Sequence, residues 1–304
     1  MAAPYYLAIH GRLVVIGKEP DGDAVRFVAD RPDPYAQLKH AHRIRPAADG
    51  SVRLRLEGVD APELHYGPAA QPLAREARDQ LLAWIGFTEL EYAPPTATMV
   101  TAASPDAVPA VVLTQAAELH GRPVAYLVTS VGEDEHLPPG EDEHLPPDGQ
   151  WAPVDRELLD HSFNTLLVQE GLAYPALYAS TPVAHRTYLH ELAAEARKNG
   201  AGVWADDRTA EFTLEDPASI GPEGQLILPK LFRRATDYLE AVAGGFRDNL
   251  ADWLVAVSTS SSRNEDDRVL VCGRTELRLS DLLVQANDAV WFQADPLDLV
   301  FFER

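Results

Sequence analysis

The sequence is short of cysteine, of basic charge and of long apolar runs, and each shortage closes off a class of answer. Among 304 residues there is one cysteine, Cys272, so no disulfide can form within the chain. A lone thiol suits a reducing compartment. Lys and Arg number 26 against 47 Asp and Glu, a formal charge of −21, which rules out a broad positive field that draws in a polyanion. Any contact with nucleic acid therefore has to be local. No run of about eighteen apolar residues is present to cross a bilayer, so no membrane partner is expected. The opening MAAPYYLAIHGRL lacks the charged-then-apolar pattern of a secretion signal, and the expected location is cytoplasmic.

What the chain does have is apolar content, 46% of its residues, over a length that accommodates one large or two ordinary domains. LAIHGRLVVIG and AVRFVAD read as strands flanking KEPDGD, whose Asp-Gly pair signals a tight turn. KHAHRIR, residues 39 to 45, is the most basic patch, an exposed loop or a local phosphate contact. SVRLRLEGV reads as a third strand, and PAAQPLAREARDQLLAWIG places Leu73, Ala77, Leu81 and Trp84 at helical spacing with Gly86 as the stop. TELEYAPP reads as a strand, residues 97 to 117 as a loop with one further strand, and AELHGRPVAYLVTS as extended again. Residues 131 to 149 carry GEDEHLPP twice in tandem. This insert, about 131 to 150, is too acidic and Pro-rich to bury a core and reads as a solvated loop, with weak cation binding through His136 or His144 as the functional alternative.

DRELLDHSFNTLLVQEG predicts a helix capped by Asp155 and stopped at Gly171, and a last helix opens with Thr181 as cap and Pro182 in its first turn. Strands first and helices later is an α+β pattern, and five short strands suggest a small barrel with helices packed on it, over residues 1 to 206. After residue 210 the texture changes. Turn-rich FTLEDPASIGPEGQL, a helical stretch from LFRRATDYLEAVAGG onward and strands around RVLVCGRTELRL and DAVWFQADPLDLVFF predict a second small α+β unit, residues 210 to 304, with Trp253 and Trp291 in its core.

Taken singly, the charged residues of the first unit have ordinary explanations. Asp21 and Asp23 bracket a turn glycine, Asp60 caps the turn into Pro62, Arg55 pairs at the surface with Glu57 or Glu63, and Arg122 is a strand charge. Together they amount to equipment for phosphodiester hydrolysis: hard oxygen ligands for Ca²⁺, a glutamate to orient or deprotonate water, and two guanidinium groups to hold phosphate oxygens.

The order of these residues resembles the staphylococcal nuclease family. Asp21-Gly22-Asp23-Ala24-Val25 is similar to the family's Asp-Gly-Asp-Thr-Val, and Arg55-Leu56-Glu57-Gly58-Val59-Asp60-Ala61-Pro62-Glu63 resembles its Arg-Leu-x-Gly-Ile-Asp-Ala-Pro-Glu. Tyr66-Gly67-Pro68, Gly121-Arg122 before Val124-Ala125-Tyr126, Asn164, Gly171-Leu172-Ala173 and Trp204 follow in the family's order, so the likeness spans residues 1 to 206. The resemblance implies an OB-type five-stranded β-barrel with three helices. It implies Asp23, Asp60 and the Ala61 carbonyl as Ca²⁺ ligands, Glu63 as the residue that positions or activates water, and Arg55 and Arg122 as phosphate ligands. The implied activity is Ca²⁺-dependent hydrolysis of DNA or RNA to 3′-phosphate products. Where the family carries Asp-Lys-Tyr before its Gly-Arg, this chain has Glu118-Leu119-His120, so His120 and Tyr178 are the candidates for further substrate contact. Two other roles follow from the same pattern: a nucleic-acid- or protein-binding scaffold on this fold, and a nuclease restrained through a regulatory or self-association contact made by residues 210 to 304.

Overall fold

Side-chain alternation along residues 5 to 14 sets the frame, because one face of that strand supplies Leu7, Ile9 and Leu13 to a core from which water is excluded. In the computed structural model, which describes residues 3–129, 145–258 and 266–303, the first part contains β1 (Tyr5–Val14), β2 (Arg26–Ala29), β3 (Val52–Arg53), β4 (Arg55–Leu56), β5 (Val59–Asp60), α1 (Ala74–Ile85), β6 (Thr88–Tyr92), β7 (Val100–Ser104), β8 (Ala107–Ala117), β9 (Pro123–Val128) and β10 (Trp151–Pro153). It continues through α2 (Arg156–Asp160), α3 (Phe163–Gln169), β11 (Tyr174–Pro175), α4 (Val183–Lys198) and α5 (Val203–Asp206). The protein is α+β, built on a nearly closed, barrel-like sheet with strand order β3-β2-β1-β8-β9-β4, to which β10 adds by pairing with β1.

Several expectations are corrected here. Among the described residues the sheet has seven strands rather than five. Residues 97 to 117 hold two strands instead of one, joined at a Pro-Asp turn. SVRLRLEGV is broken into pieces two residues long, β3 and β4 being interrupted at Leu54 and β4 and β5 being separated by a sharp bend at Gly58. The tight turn survives locally, with Asp21 N–H donating to the Ala24 carbonyl at 2.9 Å, but it sits inside a longer loop between β1 and β2. The helix expected over DRELLDHSFNTLLVQEG is two helices, the second recapped by Ser162. Asp155 caps the first, accepting from the Leu158 N–H at 3.0 Å. The cap of α4 is Pro182 rather than Thr181, and the cap residue makes no side-chain hydrogen bond. Among the described residues five α-helices, rather than three, precede residue 207. Most of the duplicated acidic insert, with His136 and His144, lies outside the described residues.

Two buried side chains lock the barrel to its helices. Asn164, fully buried at the start of α3, accepts from the Leu127 N–H at 3.0 Å and donates to the carbonyls of Glu57 at 2.8 Å and Ala125 at 3.0 Å. It thereby stitches β9 to the chain leaving β4, which runs parallel to β9 with Arg55 opposite Val124. His185 of α4 donates through Nε2 to the Val154 carbonyl at 2.9 Å, a carbonyl that can only accept. Its Nδ1 is then the acceptor for Tyr126 at 3.1 Å. Tyr6 in turn donates to Glu57 at 3.2 Å. Glu57, expected at the surface beside Arg55, is instead 8% exposed within this aromatic cluster.

The remainder comprises β12 (Glu211–Thr213), α6 (Pro229–Ala243), α7 (Leu250–Ser258), β13 (Arg268–Val271), β14 (Thr275–Arg278), β15 (Leu283–Ala286), β16 (Ala289–Phe292) and β17 (Leu299–Phe301). Its strands form two three-stranded sheets, β12-β16-β15 and β14-β13-β17. Trp253 is buried as expected, whereas Trp291 is only partly covered. Leu226, Ile227, Phe232 and Phe301 join the same apolar cluster as Leu54, Val59 and Ala61, so the two parts of the chain exclude water together.

Candidate active site

Three backbone devices bring the charged residues of the first part together. The Leu54 N–H donates to the Val25 carbonyl at 2.8 Å and the Leu56 N–H to the Asp23 carbonyl at 2.9 Å, which holds the Asp23 turn alongside β4. Gly22 lies so close to the following bend that a Cβ there would sit 2.6 Å from the Ala61 Cβ and 3.1 Å from that of Ala77. Only glycine lets the two loops touch. At the bend, β5 pairs with β11, placing Asp60 opposite Tyr174, and Gln71 then grips Glu63 by both backbone groups, at 3.1 Å to its N–H and 2.8 Å to its carbonyl.

The outcome is a single acidic and basic cluster. The Arg55 guanidinium lies between two aspartates, with Nη1 3.7 Å from Asp23 Oδ2 and Nη2 3.7 Å from Asp60 Oδ1. Those separations are ion pairs too long for direct hydrogen bonds. The tight partner is one the sequence did not announce. Arg233 of α6 donates through Nη1 to Asp60 Oδ1 at 3.1 Å and through Nη2 to Asp60 Oδ2 at 3.0 Å, a fork matched to both carboxylate oxygens, and its Nη1 also bonds Glu63 Oε1.

Burial dominates the electrostatics and the cations redirect it. Burial opposes ionisation of Asp60, but Arg233, Arg55 and Lys230 outweigh it and hold that carboxyl below its usual range. For Glu63 burial wins, helped by the charges of Asp60 and Asp23, and its affinity for a proton is raised despite Arg233. Asp21, buried beside Asp23 and Glu63, is pushed up to about 7. Burial would raise Tyr178, yet Lys230, Arg55 and Arg233 together bring its phenol below the ordinary value.

Of the residues singled out from sequence, Asp23, Arg55, Asp60, Ala61 and Glu63 are thus assembled, and Tyr178 is partly buried beside Arg55 and Lys230. Arg122 is directed elsewhere: its Nε and its backbone N–H each donate to Glu118 Oε1 at 3.1 Å. His120 is exposed on the turn before it. The basic stretch 39 to 45 runs beside this turn, because Lys39 bonds the Gln115 carbonyl and the Ala117 N–H at the end of β8. Arg233 was missed since nothing near it in sequence relates to the site; the only hint was Arg233-Arg234 and Lys230 in a chain poor in cations.

Asp23 and Asp60, both drawn to the Arg55 guanidinium, are oxygen donors of the kind a hard divalent cation takes. Among the described residues no three His, Cys, Asp or Glu side chains are grouped so as to hold a metal ion. Both Asp60 oxygens face the Arg233 fork instead. No protein-family model matches the chain and no curated protein matches it.

Proposed function

We propose that the chain is a phosphodiesterase of the staphylococcal nuclease type, acting on DNA or RNA on an OB-like barrel. The observation that carries this reading is Arg55 shared between Asp23 and Asp60 with Glu63 one turn further on, a phosphate-binding fork set among cation-binding and proton-accepting carboxylates. Asp23, Asp60 and the Ala61 carbonyl would hold Ca²⁺, which when bound supplies positive charge to neutralise the phosphate. Glu63 takes the proton of an attacking water, and the raised proton affinity that burial gives it suits that task. Arg55 holds the non-bridging oxygens as charge builds on them, and Arg122 joins it by leaving Glu118 for the phosphate. Water's oxygen bonds phosphorus while the bond to the 5′-oxygen breaks, and that oxygen takes a proton from solvent to leave a 5′-hydroxyl and a 3′-phosphate.

The Arg233 fork favours a second reading, in which the site is permanently closed and the domain is a binding scaffold. Labelled single-stranded DNA and RNA, incubated with the wild-type and Arg233→Met chains in Ca²⁺ and in chelator, separate the two. The phosphodiesterase reading expects Ca²⁺-dependent cleavage that disappears on adding Glu63→Ala and drops by ~10²-fold on adding Arg122→Ala. Strands bound but intact in every chain would establish the scaffold.

A further inference from the structure

Helix α6 lays one stripe of side chains, Lys230, Arg233 and Asp237, across the barrel face that carries the site. Spacings of three and four residues put them on the same side of the helix. At one end the Asp237 carboxylate accepts from the Tyr66 hydroxyl at 2.6 Å. At the other the Lys230 ammonium sits 4.4 Å from the centre of the Phe301 ring and 5.4 Å from that of Tyr178. Arg233 lies between them, clamped on Asp60 and Glu63. Two residues before the helix, the Ile227 carbonyl accepts from Gln71 Nε2 at 2.7 Å, the same glutamine that fixes the Glu63 backbone. The helix is therefore anchored to the site on both sides of the arginine.

A guanidinium so placed delivers positive charge to the carboxylates that would attract a divalent cation. The two compete for Asp60, because the guanidinium engages each of its oxygens and its positive charge repels a cation approaching the same carboxylate. Resting on the phosphodiesterase reading, we propose that Arg233 is a built-in competitor for the cation seat, so that the chain as folded is held inactive and a divalent cation must displace the guanidinium to switch the site on. The arginine is tethered, and a tethered competitor acts at an effective concentration far above that of a free one. When only a fraction of molecules are open, apparent affinity for the cation is reduced by that fraction. Removing the guanidinium lifts this handicap.

The test is calorimetric titration of Ca²⁺ into the full-length chain, with thermal melting in Ca²⁺ and in chelator as a second readout. Arg233→Met, which keeps the length of the side chain without its charge, is expected to bind Ca²⁺ at least about tenfold more tightly than wild type. Arg233→Lys, which retains the charge, is expected to fall between them. Arg233→Met that is folded by circular dichroism and binds Ca²⁺ no more tightly overturns the proposal. Should Arg233→Met not fold, Tyr66→Phe decides: it deletes the hydrogen bond from Tyr66 to Asp237 without touching any carboxylate that would hold the cation, and a several-fold gain in Ca²⁺ affinity supports the proposal whereas none overturns it. Strand cleavage measured on the same samples keeps the two ideas apart. Tighter Ca²⁺ binding without cleavage sustains the competition and defeats the phosphodiesterase reading, and cleavage with unaltered Ca²⁺ affinity does the reverse.

Discussion

Glu57 offers a quantitative prediction about stability that is independent of the charged cluster around Arg233. Glu57 is 8% exposed and accepts a hydrogen bond from the Tyr6 hydroxyl at 3.2 Å. Burial raises its pKa from the ordinary 4.5 to about 7, against the lowering effect of hydrogen bonds from Tyr6 and Thr181. In that interval the folded state holds a proton that the unfolded chain has given up, so stability falls as pH rises. The favourable condition is complete below about pH 4.5 and is lost by the time pH has passed 7. A difference of that size corresponds to ~3 kcal/mol of unfolding free energy. Glu57→Gln keeps the shape and an acceptor for Tyr6 while removing the ionisation. Urea denaturation should show the variant close to wild type at about pH 5 and more stable by ~3 kcal/mol at about pH 8.5, with the slope against denaturant unchanged. A difference between the two chains that does not vary with pH would show instead that Glu57 ionises as freely in the folded protein as in the unfolded chain.

Other substitutions test how the site is positioned. Asn164→Ala deletes three buried hydrogen bonds and strands their backbone partners, so a loss of ~3 kcal/mol is expected in the same denaturation assay. Gly58 has φ 78 and its missing Cβ faces Leu189, so Gly58→Ala should cost ~2 kcal/mol, visible as a lower melting temperature. Gly22→Val should push the Asp23 turn off Ala61 and weaken Ca²⁺ binding by ~10-fold or more, read by calorimetry in the Arg233→Met background.

Features governed by near neighbours were legible in the sequence. The Asp155 cap, the Gly86 stop and the bend at Pro62 depend on hydrogen bonds and steric limits within a few residues, and so does the meeting of Asp60 with Glu63. The second strand among residues 97 to 117 was hidden because Ser104, Pro105, Asp106 and Pro109 give it the composition of a loop. Pro109 is tolerated since it pairs with Arg12 on one side only, β9 starting its pairing further along at Val111. Glu57 was misread because a single glutamate carries no local sign of the aromatic pocket that Tyr6, Tyr126 and His185 build from distant segments. Arg233 was out of reach for the same reason at larger scale: it is 170 positions from Glu63, and packing of α6 against the barrel alone brings them together.

The most direct test of the account is end-group analysis of single-stranded DNA and RNA after incubation with the Arg233→Met chain. With Ca²⁺ present, new 3′-phosphate and 5′-hydroxyl ends are predicted, absent in chelator and absent when Glu63→Ala is added. Strands that stay intact in Ca²⁺, or cleavage that persists in chelator without Glu63, would contradict it.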